Sequence, residues 1–202
     1  YSYNNYGNPF GSVAGEVGAG TLILGTKLRI SEYQSAIGLL QMKNLKQQTD
    51  TRAENAAYLK SKIREIPGII PYRLYDDVTK AVFHLFPFRY DKEQFKGLSR
   101  ELFLKALVAE GIPCHSGYTP LNAMPFLKHA FQTKNFRKMY SKKMLDYNNY
   151  LSRNQCPEND QLCKQAVWIP QNVLLAGKED MNDIFHAIEK IQNNAEKIQA
   201  KS

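Results

Sequence analysis

Beyond residue 30 the apolar positions fall at helical spacing. Tyr33, Ile37 and Leu40 are followed, less regularly, by Leu45, and a second stretch adds Ala53, Ala56, Leu59, Ile63 and Ile66. Ser31 with Gln34 three residues later is a capping-box pattern, so the helix should start near Glu32. Pro67 and Gly68 stop it. Roughly 35 residues, bent near "QQTD", is long for a helix in a globular domain; such a helix bridges two domains or lines a subunit interface. The runs 69–75 "IIPYRLY" and 81–90 "AVFHLFPFRY" read as an antiparallel strand pair, with Pro87 marking an edge or a bulge. Ser99 should cap the next helix, Leu98 and Phe103 fit a hydrophobic staple, and Gly111 terminates it after about Glu110. A short strand follows in "IPCHSGY", then a loop with Pro120 and Pro125, helical pieces over 126–152, a strand at 166–170 "AVWIP", and a last helix from about Glu179. Met181, Ile184, Phe185, Ile188, Ile191 and Ile198 form its core stripe. This order predicts an α+β fold with helices packed against one sheet.

Residues 1–24 are Gly-rich, with one short strand candidate at "TLIL", and read as flexible connection. Their glycines lack the Gly-Lys-Ser/Thr ending of a phosphate loop. With 43% hydrophobic residues the 202-residue chain can bury a core, and no apolar run is long enough for a membrane helix. The 27 Lys and Arg exceed the 19 Asp and Glu by 8. The excess attracts anions, but no nucleic-acid module signature accompanies it, so no nucleic-acid partner is expected.

Cys114, Cys156 and Cys163 are an odd count, which argues against a disulfide scaffold. Cys156 and Cys163 either pair in an exported protein or remain free thiols in a reducing compartment. His115 and the cysteines lack zinc-ligand spacing. The first residue is Tyr rather than Met, so a processed chain or a piece of a longer one is expected. A cytoplasmic location is the working expectation.

The segments "GTKLRISEYQSAIGLLQMKNL", "IREIPGI", "FHLFPFRYD", "LVAEGIPCHSGYTPLNAMPF" and "WIPQNVLLAGKEDMNDIFHAIEKI" occur in the order found in the DegT/StrS-type aminotransferases, which the chain resembles over nearly its whole length. These are pyridoxal-phosphate enzymes of fold type I that aminate keto-sugars. The match is to their C-terminal half. The resemblance therefore implies a large-domain remnant and linker at 1–30, a long interdomain helix at 31–66 and a small C-terminal α+β domain, mainly antiparallel sheet and helices, at 67–202. The family's cofactor lysine lies upstream, and no lysine here sits in its motif context. A chain without that lysine should be inactive alone, with no covalently bound cofactor.

In the family a loop resembling Gly-x-Asn-x-Arg precedes the long helix, and its Asn reaches a cofactor phosphate across the dimer. Here Lys27 stands at the Asn position and Arg29 at the Arg, so both are implied cofactor-binding residues, Lys27 as a point charge on phosphate. Tyr118, Pro120 and Leu121 match a Tyr-x-Pro-Leu-His segment beside the substrate, with Asn122 in place of His. Tyr118 and Asn122 are thus candidates for sugar hydroxyls, and His115 falls in the same run. An ordinary loop tyrosine is the competing reading for Tyr118, and a structural role the competing one for His115. His84, between aromatics, reads as a core or edge histidine; His129 and His186 carry no signal. The implied partners are a second copy or the large domain, together with a sugar substrate and an amino donor. The alternative is a non-catalytic dimerising or carbohydrate-binding module.

Overall fold

The computed structural model describes residues 25, 26 and 30–200, so the Gly-rich lead, Lys27 and Arg29 lie outside the described residues. The chain divides into two compact units, 1–47 and 48–202.

Helix α1 (Glu32–Ile63) begins with the expected cap. The Ser31 amide donates to Gln34 Oε1 at 2.9 Å, and the Gln34 amide donates to Ser31 Oγ at 3.3 Å. The helix stops three residues short of the expected Ile66. The Glu65 and Ile66 amides instead make tighter bonds to the carbonyls of Lys62 and Ile63. Gly68 follows at φ +89°, where an added Cβ would sit 2.6 Å from Gln94 Cβ.

In the second unit the residues of α1 after Gln47 supply Ala56, Leu59 and Ile63 to the core. Strands β1 (Ile69–Pro71), β2 (Leu85–Tyr90), β3 (His115–Ser116) and β4 (Ala166–Pro170) form one sheet in the order β1-β2-β4-β3, with every neighbouring pair antiparallel. Alternation does the sorting: Phe86, Phe88 and Tyr90 of β2, with Val167 and Ile169 of β4, are buried. The opposite side is covered less.

Pro87 corrects an expectation. It marks no outer edge, since β2 lies inside the sheet and Pro87 faces Trp168 of β4. However, β1 ends at Pro71 opposite Phe88, so Pro87 has a ladder partner on one side only. The missing N–H costs little at such a local edge. The two strands are also shorter than the apolar runs suggested. Residues 72–84 leave the ladder, and Tyr72 packs on Phe83 and Phe86 at ring separations of 5.3 and 5.5 Å. His84 precedes β2 and is exposed, so it is not a core histidine.

Helix α2 (Arg100–Ala109) is capped by Ser99 Oγ, which accepts from the Leu102 amide at 3.3 Å. Leu98 and Phe103 are both fully buried, as a staple requires. Its end is a Schellman turn: Ile112 N–H reaches Leu107 O at 2.9 Å, Gly111 N–H reaches Val108 O at 3.0 Å, and Gly111 has φ +85°. Helices α3 (Pro125–Phe131), α4 (Lys134–Met139) and α5 (Tyr147–Arg153) fill the expected helical stretch. Helix α6 (Pro157–Gln165) has no counterpart in the sequence reading. Helix α7 (Lys178–Asn193) buries Met181, Ile184, Ile188 and Ile191, and α8 (Ala195–Ala200) continues after a break at Asn194. Each such fully buried side chain contributes about 1.5–3 kcal/mol relative to exposure.

The one buried polar side chain among the described residues is satisfied. Asn55 Nδ2 donates to Leu174 O at 2.9 Å and Ala176 O at 2.8 Å, tying α1 to the turn before α7.

Candidate functional site

The end of β3 builds the site. His115 pairs with Trp168 and Ser116 with Val167, and Gly117 N–H donates to Ala166 O at 3.0 Å. A Cβ on Gly117 would lie 2.5 Å from Ala166 Cβ, so the chain can hug β4 there only as glycine. Tyr118 is launched from this close approach. It is 71% exposed, and its ring meets Trp168 edge-on at 4.7 Å. The Tyr118 hydroxyl has no hydrogen-bond partner among the described residues.

Asn122 sits in the 3-10 turn Leu121–Ala123. Its Nδ2 donates to Asn154 O at 2.6 Å, and Asn154 in turn donates from Nδ2 to Tyr150 O at 2.8 Å. This chain fixes the Asn122 side chain and leaves Oδ1 as an acceptor. Tyr118 and Asn122 therefore line one open pocket of about 440 Å³, with Arg100, Asp160, Cys163 and Lys164 contributed by α2 and α6. His115 does not line it; it is exposed on β3.

The α2 and α6 residues were missed by sequence reading. A signal existed for Arg100, which occupies the first position of α2, where the helix dipole disfavours a cation. Its Nη1 donates to Cys163 O at 2.6 Å and to Ala166 O at 3.0 Å. The guanidinium is thus held by carbonyls at the C-terminal end of α6, where positive charge is favoured. No comparable signal announced Asp160 or Lys164.

All three cysteines are free thiols. Cys156 caps α6 and Cys163 lies seven residues on, about 10 Å along a helix at 1.5 Å per residue, beyond disulfide reach. Burial pushes the Cys114 thiol up to about 11. Among the described residues no group of His, Cys, Asp and Glu is placed to hold a metal ion, and no helix is long and apolar enough to cross a membrane.

Covalent attachment of pyridoxal phosphate would require a suitably placed lysine in the pocket. A lysine that forms an imine is normally desolvated or pressed against another cation. Lys164 is exposed, and Arg100 has half its fork committed to backbone carbonyls. This pocket suits hydroxyl contacts; it does not fit a covalent cofactor cradle.

A small antiparallel sheet packed with helices is the α+β architecture that this chain shares with solved aminotransferases. The sequence agrees: the profile of the DegT/DnrJ/EryC1/StrS aminotransferase family matches residues 4–145, and the chain belongs to that family. It is 24% identical over 179 residues to L-glutamine:2-deoxy-scyllo-inosose aminotransferase of Streptoalloteichus tenebrarius, which covers 88% of this chain and 41% of that protein. Spore coat polysaccharide biosynthesis protein SpsC of Bacillus subtilis is 24% identical over 175 residues, covering 85% and 39%. Among solved structures, 3-amino-5-hydroxybenzoic acid (AHBA) synthase superposes with a TM-score of 0.64 at 19% identity, covering 94% of this chain and 45% of that one. The aminotransferase from Psychrobacter cryohalolentis gives 0.64 at 20% identity, covering 96% and 48%. The chain spans about two-fifths of the length of the curated relatives it matches.

Proposed function

We propose that this chain is the C-terminal portion of a pyridoxal-phosphate-dependent aminotransferase acting on a keto-sugar or related cyclic ketone. In this reading 1–30 is a large-domain remnant, 31–66 the interdomain helix and 67–202 the small domain. The observation that carries it is the pocket in which Tyr118 and Asn122 meet. Tyr118 offers an unpartnered hydroxyl, and Asn122 offers an acceptor held rigid by Asn154. Together they suit two hydroxyls of a polyol ring, with the indole of Trp168 backing the tyrosine. The cofactor, when bound, supplies the electron sink for amino transfer. Its covalent lysine comes from outside this chain, and Lys27 with Arg29 meets its phosphate. Alone, the chain does not transaminate.

The test combines residues 1–202 with the upstream half of a family member and follows amination of 2-deoxy-scyllo-inosose by L-glutamine. Activity is expected only in the combination. Asn122→Ala should raise KM about tenfold, the loss of one hydrogen bond to a hydroxyl at a polar site. Activity of 1–202 alone, or an unchanged KM in Asn122→Ala, would overturn the reading.

A second copy or the large domain as partner is supported by α1 itself. Tyr33, Ile37 and Leu40 share one helical face and are 71%, 50% and 59% exposed. A contiguous apolar face of this kind marks a protein contact. The same face favours a non-catalytic dimerising module as the second reading. Light scattering on 1–202 separates them. A stable dimer that neither binds the ketone nor gains activity from the upstream half is the signature of the module.

A further inference from the structure

The stretch from α3 to α5 departs from the rest of the chain in charge. Residues 125–153 hold seven of the 27 Lys and Arg but one of the 19 Asp and Glu, Asp146, which leaves 20 against 18 elsewhere. That one carboxylate is already spent as the cap of α5, where it accepts the Asn149 amide at 2.7 Å. Among the described residues no cation of this stretch forms an ion pair, whereas Lys80, Lys105 and Lys190 each hold a carboxylate. The excess is densest at the turn between α4 and α5, "RKMYSKKM" at 137–144, where every residue is exposed. Large apolar side chains alternate there with the cations: Met139 is 70% exposed, Met144 49% and Tyr140 40%. The turn has a defined form. The rings of Phe136 and Tyr140 stand 5.6 Å apart, and the Met144 and Leu145 amides both donate to Ser141 O, at 3.0 and 3.1 Å. Arg137, Tyr140 and Lys142 also line an open pocket of about 380 Å³ whose wall contains no carboxylate.

We propose that the α4–α5 turn is a docking surface for an anionic lipid bilayer. Lysine is depleted from protein–protein interfaces because its ammonium is costly to desolvate, so four cations in eight residues fit poorly against another folded domain. The apolar Tyr33, Ile37 and Leu40 of α1 make the opposite kind of surface. RNA would require flat rings open to stacking. Phe131, Phe136, Tyr147 and Tyr150 are turned on one another instead, and Met139 and Met144 offer a base no π-face. A bilayer uses both halves of the pattern. The methionines enter the apolar, yielding layer beneath the head groups, while the cations stay among the lipid phosphates. One such phosphate fits the pocket that Arg137 and Lys142 share. Each cation near an anionic surface is worth about fivefold in binding, or about 1 kcal/mol. The inference does not rest on what the Tyr118–Asn122 pocket binds.

The test is sedimentation of the full chain with sucrose-loaded phosphatidylcholine vesicles, with and without about 30% phosphatidylglycerol. Binding should be about tenfold stronger with the anionic lipid, and should fall about tenfold as NaCl rises from about 0.1 to about 0.5 M. Lys142→Gln with Lys143→Gln should weaken it about 25-fold, and Met139→Ser with Met144→Ser about tenfold. Tm should stay unchanged in both, because all four side chains are exposed. Lys178→Gln with Lys197→Gln removes the same charge outside the turn and should change binding less than about twofold. Equal binding to pure phosphatidylcholine, no binding to either vesicle, or an equal loss in the two lysine pairs would overturn the inference. So would unaltered binding in the methionine pair. Release of the chain from the vesicles by polyglutamate or poly(U) at equal charge would assign the turn to an acidic protein or to RNA, and would overturn it as well.

Discussion

Two aromatic clusters in the 48–202 unit use the same ring geometry for different ends. In the core, Tyr90 stacks on Phe103 at 4.3 Å and tilts against Phe95 at 4.8 Å, while Phe88 and Phe95 meet Phe103 edge-on. All four of these residues are buried. In α3–α5, Phe131 meets Tyr150 edge-on at 5.0 Å and tilts against Phe136 at 5.9 Å, and Tyr147 stacks on Tyr150 at 6.1 Å. None of these three helices buries a residue. Ring contacts by themselves are worth about 0.5–1.5 kcal/mol; the surface removed from water contributes the rest. The first cluster therefore holds the fold, and the second holds only its own short helices.

The comparison is sharpest at Phe103. Phe103→Ala should cost about 3–5 kcal/mol in urea unfolding, because it opens a cavity among three rings. A loss under about 1 kcal/mol would erase the distinction. Asn55→Leu should follow at about 2–4 kcal/mol, since it strands the buried Leu174 carbonyl and the partly buried Ala176 carbonyl. Phe131→Ala should cost about 1 kcal/mol and leave near-ultraviolet signals of the core intact. Ser99→Ala should also remove about 1 kcal/mol, the worth of one cap.

Alkali gives the mildest probe. Burial raises the Cys114 thiol from 9.0 to about 11 and the Tyr72 hydroxyl from 10.0 to about 12, and it raises Tyr90 further still. The folded state thus holds these protons more tightly than the unfolded chain. Their contribution is complete below about pH 9 and is lost as pH rises through about 11 to 12. Unfolding midpoints should fall over that window, with Cys114→Ala flattening its lower part. A flat profile to pH 11 would show the thiol to be accessible.

Much of the fold was legible because local chemistry fixed it. Ser31, Ser99 and Gly111 announced helix ends by groups that satisfy orphan backbone amides and carbonyls, and the short apolar run "AVWIP" marked β4. The β1–β2 pairing was legible too, but the order of the sheet beyond it was not. Nothing local tells β2 and β4 that they are neighbours across some eighty residues, so Pro87 reads in the sequence as an edge or a bulge. Helix α6 was missed because its segment "PENDQLCKQ" has no apolar stripe and buries nothing. In the candidate site, Tyr118 and Asn122 were reached through family resemblance. Arg100 and Lys164 required the approach of α6 to α2, which is a tertiary fact. Lys27 and Arg29 lie outside the described residues, and the structure adds nothing to them.

The position of β4 has a consequence for biosynthesis. Of the four described strands it is the last to leave the ribosome, yet it sits between β2 and β3. Until residue 170 emerges from the exit tunnel, β2 has one unpaired flank and β3 has no strand neighbour at all. The nascent domain must wait, with a sticky sheet margin showing, for its central stave. Arrest of translation before Ala166 should yield a protease-sensitive, chaperone-bound intermediate, and arrest after α7 a resistant one.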